Sequence, residues 1–232
     1  MPIQVLPDTV ASQIAAGEVI ERPASAVKEL IENALDAKAQ HIRVEIQGAG
    51  LEQLTVSDDG DGIMAEEMSL ALVRHATSKL RQIEDLDRLQ TLGFRGEALA
   101  SLAAVSHLTL TSRHHQASQG RQISVRGGKI VHEQAAGIPP GTQVAVHQLF
   151  YNVPARRKFL KSETTERRHV VNLVSHYAMA YPAVRFSLAV DGREALRTTG
   201  SGNCMMSWWM YWASNSSERW WLSIPCRIND LI

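Results

Sequence analysis

The first 200 residues of this 232-residue chain contain no cysteine and no tryptophan. That excludes a disulfide framework and a cysteine-bound zinc over most of the chain, and it fits a reducing, cytoplasmic setting. No stretch of about 18 apolar residues occurs, so no membrane-spanning helix is expected. Met1-Pro2-Ile3-Gln4 carries no basic segment followed by an apolar run, so no signal peptide is expected. An excess of one charge is also missing: Lys plus Arg is 24, Asp plus Glu is 24, and the formal net charge is zero. Free-standing nucleic-acid binders usually show a basic excess, because phosphate contacts dominate their affinity. Any DNA contact must therefore come from a local patch or from an assembly. No internal repeat is visible. Nine histidines are present, but none falls in a His-Glu-x-x-His or comparable metal pattern.

What is present reads as globular. Hydrophobic residues make up 44% and charged residues 21%, and the length allows one well-buried domain and the start of a second. The composition breaks near residue 200. All five tryptophans lie between Trp208 and Trp221, and both cysteines, Cys204 and Cys226, lie in the same tail. The tail from 203 to 232 has neither helical nor strand periodicity. It reads either as an interfacial or partner-binding anchor rich in Trp, or as sequence never selected as part of this fold, as a frame shift or an early truncation would produce. The second account is preferred, so residues 1–202 are expected to form the domain.

Periodicity outlines that domain. Val27, Leu30, Ile31 and Ala34 recur at helical spacing within 24–37. Ile42, Val44 and Ile46 alternate with polar residues, so 41–47 reads as a half-buried strand. Further strands are expected at 54–57, 107–112, 121–126, 129–133, 142–148 and 184–190, and further helices at 65–75, 97–105 and 164–180. Residues 76–96 read as a long loop with some helix. Strands and helices mixed with hairpin signals predict an α+β fold, a two-layer sandwich with helices on one face of a mixed β-sheet.

Three segments carry chemistry. On the helix at 24–37, Glu29, Asn33 and Asp36 share a face opposite the apolar stripe. A carboxylate there suits a general base toward water, and an Asn oxygen suits a hard cation such as magnesium; a solvated polar face is the bland alternative. In Asp58-Asp59-Gly60-Asp61-Gly62 an acidic residue ends a strand and two glycines follow. Such an aspartate can accept from an amino group such as that of adenine. A calcium loop is disfavoured, because Met68 falls where that loop needs a bidentate Glu; an ordinary tight turn remains open. In Gly93-Phe94-Arg95-Gly96-Glu97-Ala98-Leu99 a glycine-framed loop enters a helix, where free backbone N–H groups favour phosphate. Thr77-Ser78-Lys79 adds hydroxyls and a cation upstream. There is neither a P-loop signature nor a Gly-x-Gly-x-x-Gly after a strand.

The order of these segments resembles the GHKL ATPases, and within them MutL. The runs that carry the resemblance are Gln13 to Pro23, Lys28 to Ala37, Arg74 to Lys79, Gly93 to Leu99 and Leu149 to Leu160, of which Gly93 to Leu99 is the most specific. The resemblance covers residues 1 to about 202. It implies the GHKL (Bergerat) ATP-binding fold, ATP and Mg2+ as cofactors, and an ATP-driven switch in DNA mismatch repair. It implies that Glu29 activates water, Asn33 holds magnesium, and Asp36 belongs to the ATP site. Asp58 binds the adenine amino group, with Gly62 beside the base and Thr142 near the adenine end. Thr77, Ser78 and Lys79 belong to a lid, and Gly93, Phe94, Arg95, Gly96 and Glu97 cradle phosphates. It implies ATP-dependent pairing of two such domains aided by the arm Pro2 to Pro7. Its expected partners are a mismatch-recognition protein and downstream repair factors, with weak DNA contact, no membrane, and a cytoplasmic, nucleoid-associated location. Arg156-Arg157-Lys158 is a candidate DNA contact, or else a solvated basic turn or a structural contact to the lid.

The family continues into a second subdomain that supplies a lysine to the terminal phosphate, where this chain breaks after Gly200-Ser201-Gly202. Losing one such group costs ~10²–10³ in rate by analogy with an oxyanion donor. The expectation is therefore ATP binding with weak or absent turnover. The alternative is a catalytically impaired remnant that binds ATP weakly or acts through protein contacts alone.

Overall fold

The computed structural model of the chain describes residues 4, 7–79, 91–93 and 95–202. The tail from 203, Phe94, residues 80–90 and most of the N-terminal arm Pro2 to Pro7 lie outside these residues.

The elements run α1 (Asp8–Val19), α2 (Pro23–Asp36), β1 (His41–Gln47), β2 (Gln53–Asp58), α3 (Ala98–Val105), β3 (His107–Arg113), β4 (Gly120–Arg126), β5 (Lys129–Ala136), β6 (Gly141–His147), α4 (Pro154–Phe159), α5 (Glu163–Ala180), β7 (Arg185–Val190) and β8 (Arg193–Arg197). The strands form one eight-stranded sheet in the order β5-β4-β3-β6-β2-β1-β7-β8. All neighbours are antiparallel except β1 and β7, so the sheet is mixed, as expected.

Register explains why one face holds the core. Leu188, Val44, Val56, Val144, Leu110 and Ile123 lie in one row across six strands. Each is at most 5% exposed. The row one step away, Ser187, Arg43, Ser57, Gln143, Thr111 and Gln122, is polar. Side chains alternate across a strand, so the apolar row faces the helices and the polar row faces outward. α2 lays Val27, Leu30, Ile31 and Ala34 into this core, with Pro23 starting it where a missing N–H is harmless.

The C-terminal end of α2 is shaped by a reversal. Ala39 donates to the Ala34 carbonyl at 3.1 Å and Lys38 to the Leu35 carbonyl at 2.9 Å. That is the Schellman pattern, and it places Lys38 at φ +60°. The reversal leaves the Ala37 carbonyl free to accept from the Asp61 N–H at 2.9 Å.

One local expectation differs from the structure, and three elements lacked one. Residues 65–75 do not form an α-helix; they form turns and a short 3-10 segment, Leu70–Leu72. Met68 is buried while Leu70 and Val73 are exposed. His75 turns into the left-handed region and donates to the Gly96 carbonyl at 3.1 Å. The burial of Met68 with Leu70 and Val73 exposed, and this long-range bond, show tertiary contacts overriding helix propensity here. α1, α4 and β8 were not foreshadowed by periodicity: α1 is rich in Ala and Gly, and the other two are six and five residues long.

Candidate functional site

The last turn of α2 gathers the expected site. Asp36 is the node. Its Oδ1 accepts from the Leu92 N–H at 2.9 Å and its Oδ2 from the Gly93 N–H at 3.1 Å. The same Oδ2 pairs with the Lys79 ammonium, and Lys79 Nζ also donates to Asn33 Oδ1 at 3.2 Å. The Asp36 and Lys79 side chains are only 7% and 22% exposed. One residue further on, Ala37 holds the acidic loop. Its carbonyl takes the Asp61 N–H, and a Cβ on Gly60 would come within 2.6 Å of that oxygen. Sequence neighbours on one helix end therefore anchor the 91–93 loop, Lys79 and the loop after β2.

Asp58 ends β2 opposite Thr142 of β6. Its Oδ1 accepts from the Gly60 N–H at 2.9 Å, and the Thr142 backbone N–H also donates to its carboxylate. Burial raises this carboxyl to about 6, with a smaller upward push from Asp59; the two N–H donors oppose the rise. Thr142 is itself held by Ser112, whose Oγ lies 2.9 Å from Thr142 Oγ1 and donates to the Gly141 carbonyl at 2.9 Å. Asp59 turns the other way and accepts from the Gln40 and His41 N–H groups, each at 2.8 Å.

The glycines have local reasons. Gly62 adopts φ +73°, and a Cβ there would meet the Arg113 carbonyl at 2.1 Å. Gly96 at φ +61° packs on Ala76. A Cβ on Gly93 would instead point toward Lys79 Nζ, Asn33 Oδ1 and Asp36 Oδ2, at 3.5, 3.7 and 3.8 Å.

Glu29 is partly exposed, with Lys28 Nζ 3.4 Å from its Oε1. Lys28 also reaches Glu32 Oε2 at 2.9 Å, and the Tyr177 hydroxyl donates to Glu32 Oε1 at 2.6 Å. Burial pulls the Lys28 ammonium down, but Glu32 and Glu29 outweigh it, so its pKa lies above the usual lysine value. Thr77 Oγ1 accepts from the Lys79 N–H at 3.1 Å, and Ser78 is exposed. Glu97 precedes α3, close enough to His75 for a 3.5 Å contact, and Arg95 is exposed. Phe94 lies outside the described residues. On α4, Arg157 and Lys158 are exposed, while the Arg156 guanidinium packs over Gly17 of α1, 3.2 Å from where a Cβ would stand.

A hard cation fits the last turn of α2. An ammonium already sits between an amide oxygen and a carboxylate there, which is the donor type magnesium prefers. Among the described residues no cluster of three or more His, Cys, Asp or Glu could hold a metal by itself. Magnesium would accordingly take its remaining ligands from water and phosphate. Two open clefts lie elsewhere. One of about 360 Å³ is lined by His41, Arg43, Arg185 and Arg197, and one of about 590 Å³ by Met64, Gln116, Arg121 and Glu133. Neither includes a residue of the three segments.

Sequence reading missed the supports: Leu92, Ser112, Asp59, and the Lys28–Glu32–Tyr177 chain. Their partners are mostly far apart in sequence, so no local motif marks them. Asp59 had a signal, as the second acid of an Asp-Asp pair at a strand end, and Lys28 and Glu32 lie within the Lys28 to Ala37 run.

Residues 20–153 match the model of the histidine kinase-, DNA gyrase B-, and HSP90-like ATPases. The chain is 51% identical over 197 residues to the DNA mismatch repair proteins MutL and HexB of Streptococcus pneumoniae. The alignment covers 85% of this chain and 30% of those relatives. Among solved structures, the Aquifex aeolicus MutL ATPase domain complexed with ADP is similar at 37% identity and TM-score 0.69, covering 84% of this chain and 70% of that one. The N-terminal domain of a DNA repair protein matches at 28% identity and TM-score 0.74, covering 87% and 60%. No helix among the described residues is long and apolar enough to cross a membrane. With these matches on a mixed eight-stranded sheet, the chain belongs to the histidine kinase-, DNA gyrase B- and HSP90-like ATPase family, as a MutL-like DNA mismatch repair ATPase domain.

Proposed function

We propose that residues 1–202 bind ATP with magnesium at the C-terminal end of α2 and hydrolyse it weakly, so that nucleotide state switches a repair complex. The observation that carries this is the convergence on Asp36 and Ala37. A helix-borne acid and amide, the loop that follows an acidic strand end, and a glycine loop with a lysine meet at one helix terminus. The ADP complex of the similar Aquifex aeolicus domain supports the same ligand class.

Asp58 accepts from the adenine amino group, with Thr142 keeping its carboxylate in place and Gly62 beside the base. Lys79 and the backbone N–H groups of 93–97 hold the phosphates, with Thr77 and Ser78 in the same lid. Asn33, beside Asp36, holds magnesium, which when bound offsets phosphate charge. Glu29 takes a proton from the attacking water, a contribution of ~10²–10⁴ in rate. Phosphoryl transfer rests mainly on positioning and charge, so this sparse set of groups suffices in kind. The chain spans 30% of the length of the curated relatives it matches, so the activity of a whole protein is part of this proposal. That includes ATP-dependent pairing through the N-terminal arm. It also includes engagement with a mismatch-recognition protein and downstream factors, and a place in the cell alongside DNA. Arg157 and Lys158 are the exposed cations for a weak DNA contact.

Glu29→Ala tests the reading. The variant should lose ATP hydrolysis while calorimetry with ATP and magnesium retains the parental affinity. Turnover equal to that of the parent would overturn the role of Glu29, and absence of nucleotide binding in the folded parent would overturn the function.

A further inference from the structure

Asn33 Oδ1 and Asp36 Oδ2 lie in the last turn of a fourteen-residue helix. That end carries the negative pole of the helix dipole, so a carboxylate placed there is disfavoured unless a cation joins it. No basic residue of α2 occupies its last turn. The cation comes from 43 residues away: Lys79 reaches Asp36 and Asn33 together, and its side chain is largely withdrawn from solvent.

We propose that Lys79 is the internal counter-cation of the magnesium position, exchanging with the divalent ion for the same two oxygens. This rests on the reading of the site given above. A divalent ion at Asn33 Oδ1 and Asp36 Oδ2 repels the Lys79 ammonium, and the Asp36 side chain is withdrawn from solvent, so that repulsion is weakly screened. Entry of a divalent ion therefore releases the Lys79 ammonium. Asp36 also holds the Leu92 and Gly93 N–H groups, so weakening the Lys79 contact loosens the anchor of the 91–93 loop. The released ammonium is a donor a phosphate chain needs. Divalent-ion binding and delivery of Lys79 to phosphate thus become one event, and Lys79 acts as a positioning residue before it acts on the nucleotide.

The experiment uses the whole chain with Mn2+ as the probe, without nucleotide. Free Mn2+ is followed by electron paramagnetic resonance for the parent, Lys79→Met and Lys79→Arg, and each protein is also titrated with MgADP. Lys79→Met should bind Mn2+ about tenfold more tightly than the parent, the effect of removing a competing charge worth about 1.4 kcal/mol. Lys79→Arg should stay close to the parent. On the parent alone, amine labelling of Lys79 followed by mass spectrometry should accelerate as Mn2+ is added, which keeps the test independent of variant folding. No Mn2+ binding without nucleotide, equal Mn2+ affinity in all three proteins, or labelling indifferent to saturating Mn2+ overturns the exchange, while MgADP binding leaves the nucleotide site standing. Failure of every protein to bind MgADP overturns the underlying reading, and the exchange with it.

Discussion

The Gly93 N–H donates to the Asp36 carboxylate at 3.1 Å, across 57 positions of sequence. Asp36 sits where α2 ends, and Ala37 beside it accepts from Asp61 in the loop after β2. Two loops with no sequence relation to each other are therefore registered to one helix terminus. The helix is in turn fixed by its apolar stripe against the sheet. Small displacements of α2 would move all three parts of the site together.

Asp58 should trade stability for binding. Its folded pKa, raised to about 6 by burial, exceeds the usual carboxylate value of 3.8. The folded state therefore holds this proton more tightly than the unfolded chain does. Its contribution to stability falls as pH rises from about 4 to about 6, and stays lowered above that. The shift corresponds to about 3 kcal/mol. Asp58→Asn should raise the thermal midpoint at pH 7.5, lose that advantage near pH 4, and weaken nucleotide affinity at least about tenfold through the lost charge-assisted hydrogen bond. Unfolding scans at both pH values and calorimetry at neutral pH check this.

Lys38 occupies the left-handed position of the α2 reversal at φ +60°, where a side chain costs about 1–2 kcal/mol. Lys38→Gly should stabilise the domain by about 1 kcal/mol, net of glycine's greater unfolded-state freedom. The measurement is the urea midpoint at constant slope.

Tyr177 links α5 to α2 through Glu32, and burial, followed by that hydrogen bond, pushes its phenol well above the usual range. The hydroxyl therefore remains a donor at every physiological pH. Tyr177→Phe leaves the buried Glu32 carboxylate with Lys28 alone, a loss of about 1–3 kcal/mol. The urea midpoint should fall while nucleotide affinity stays at the parental value.

Much of this arrangement was legible in the residues. The Ile42, Val44 and Ile46 alternation marks β1 with its observed bounds, and the Val27 stripe marks α2 to within one residue at each end. Both signals are local and arise from burial on one face. The segment 65–75 looks helical in sequence, yet it forms turns whose end is tied to Gly96, 21 positions away. The site shows the same division. Glu29, Asn33 and Asp36 could be placed on one helix face from spacing alone. That Asp36 would collect Lys79, Leu92 and Gly93 depends on tertiary folding, and spacing carries no trace of it.

Hydrogen–deuterium exchange with and without saturating MgADP tests the central claim most directly. The account predicts one bound nucleotide per chain and simultaneous protection of amides in 33–37, 58–62 and 91–97. Protection confined to a single segment, or centred on the cleft lined by Arg43, Arg185 and Arg197, would contradict it.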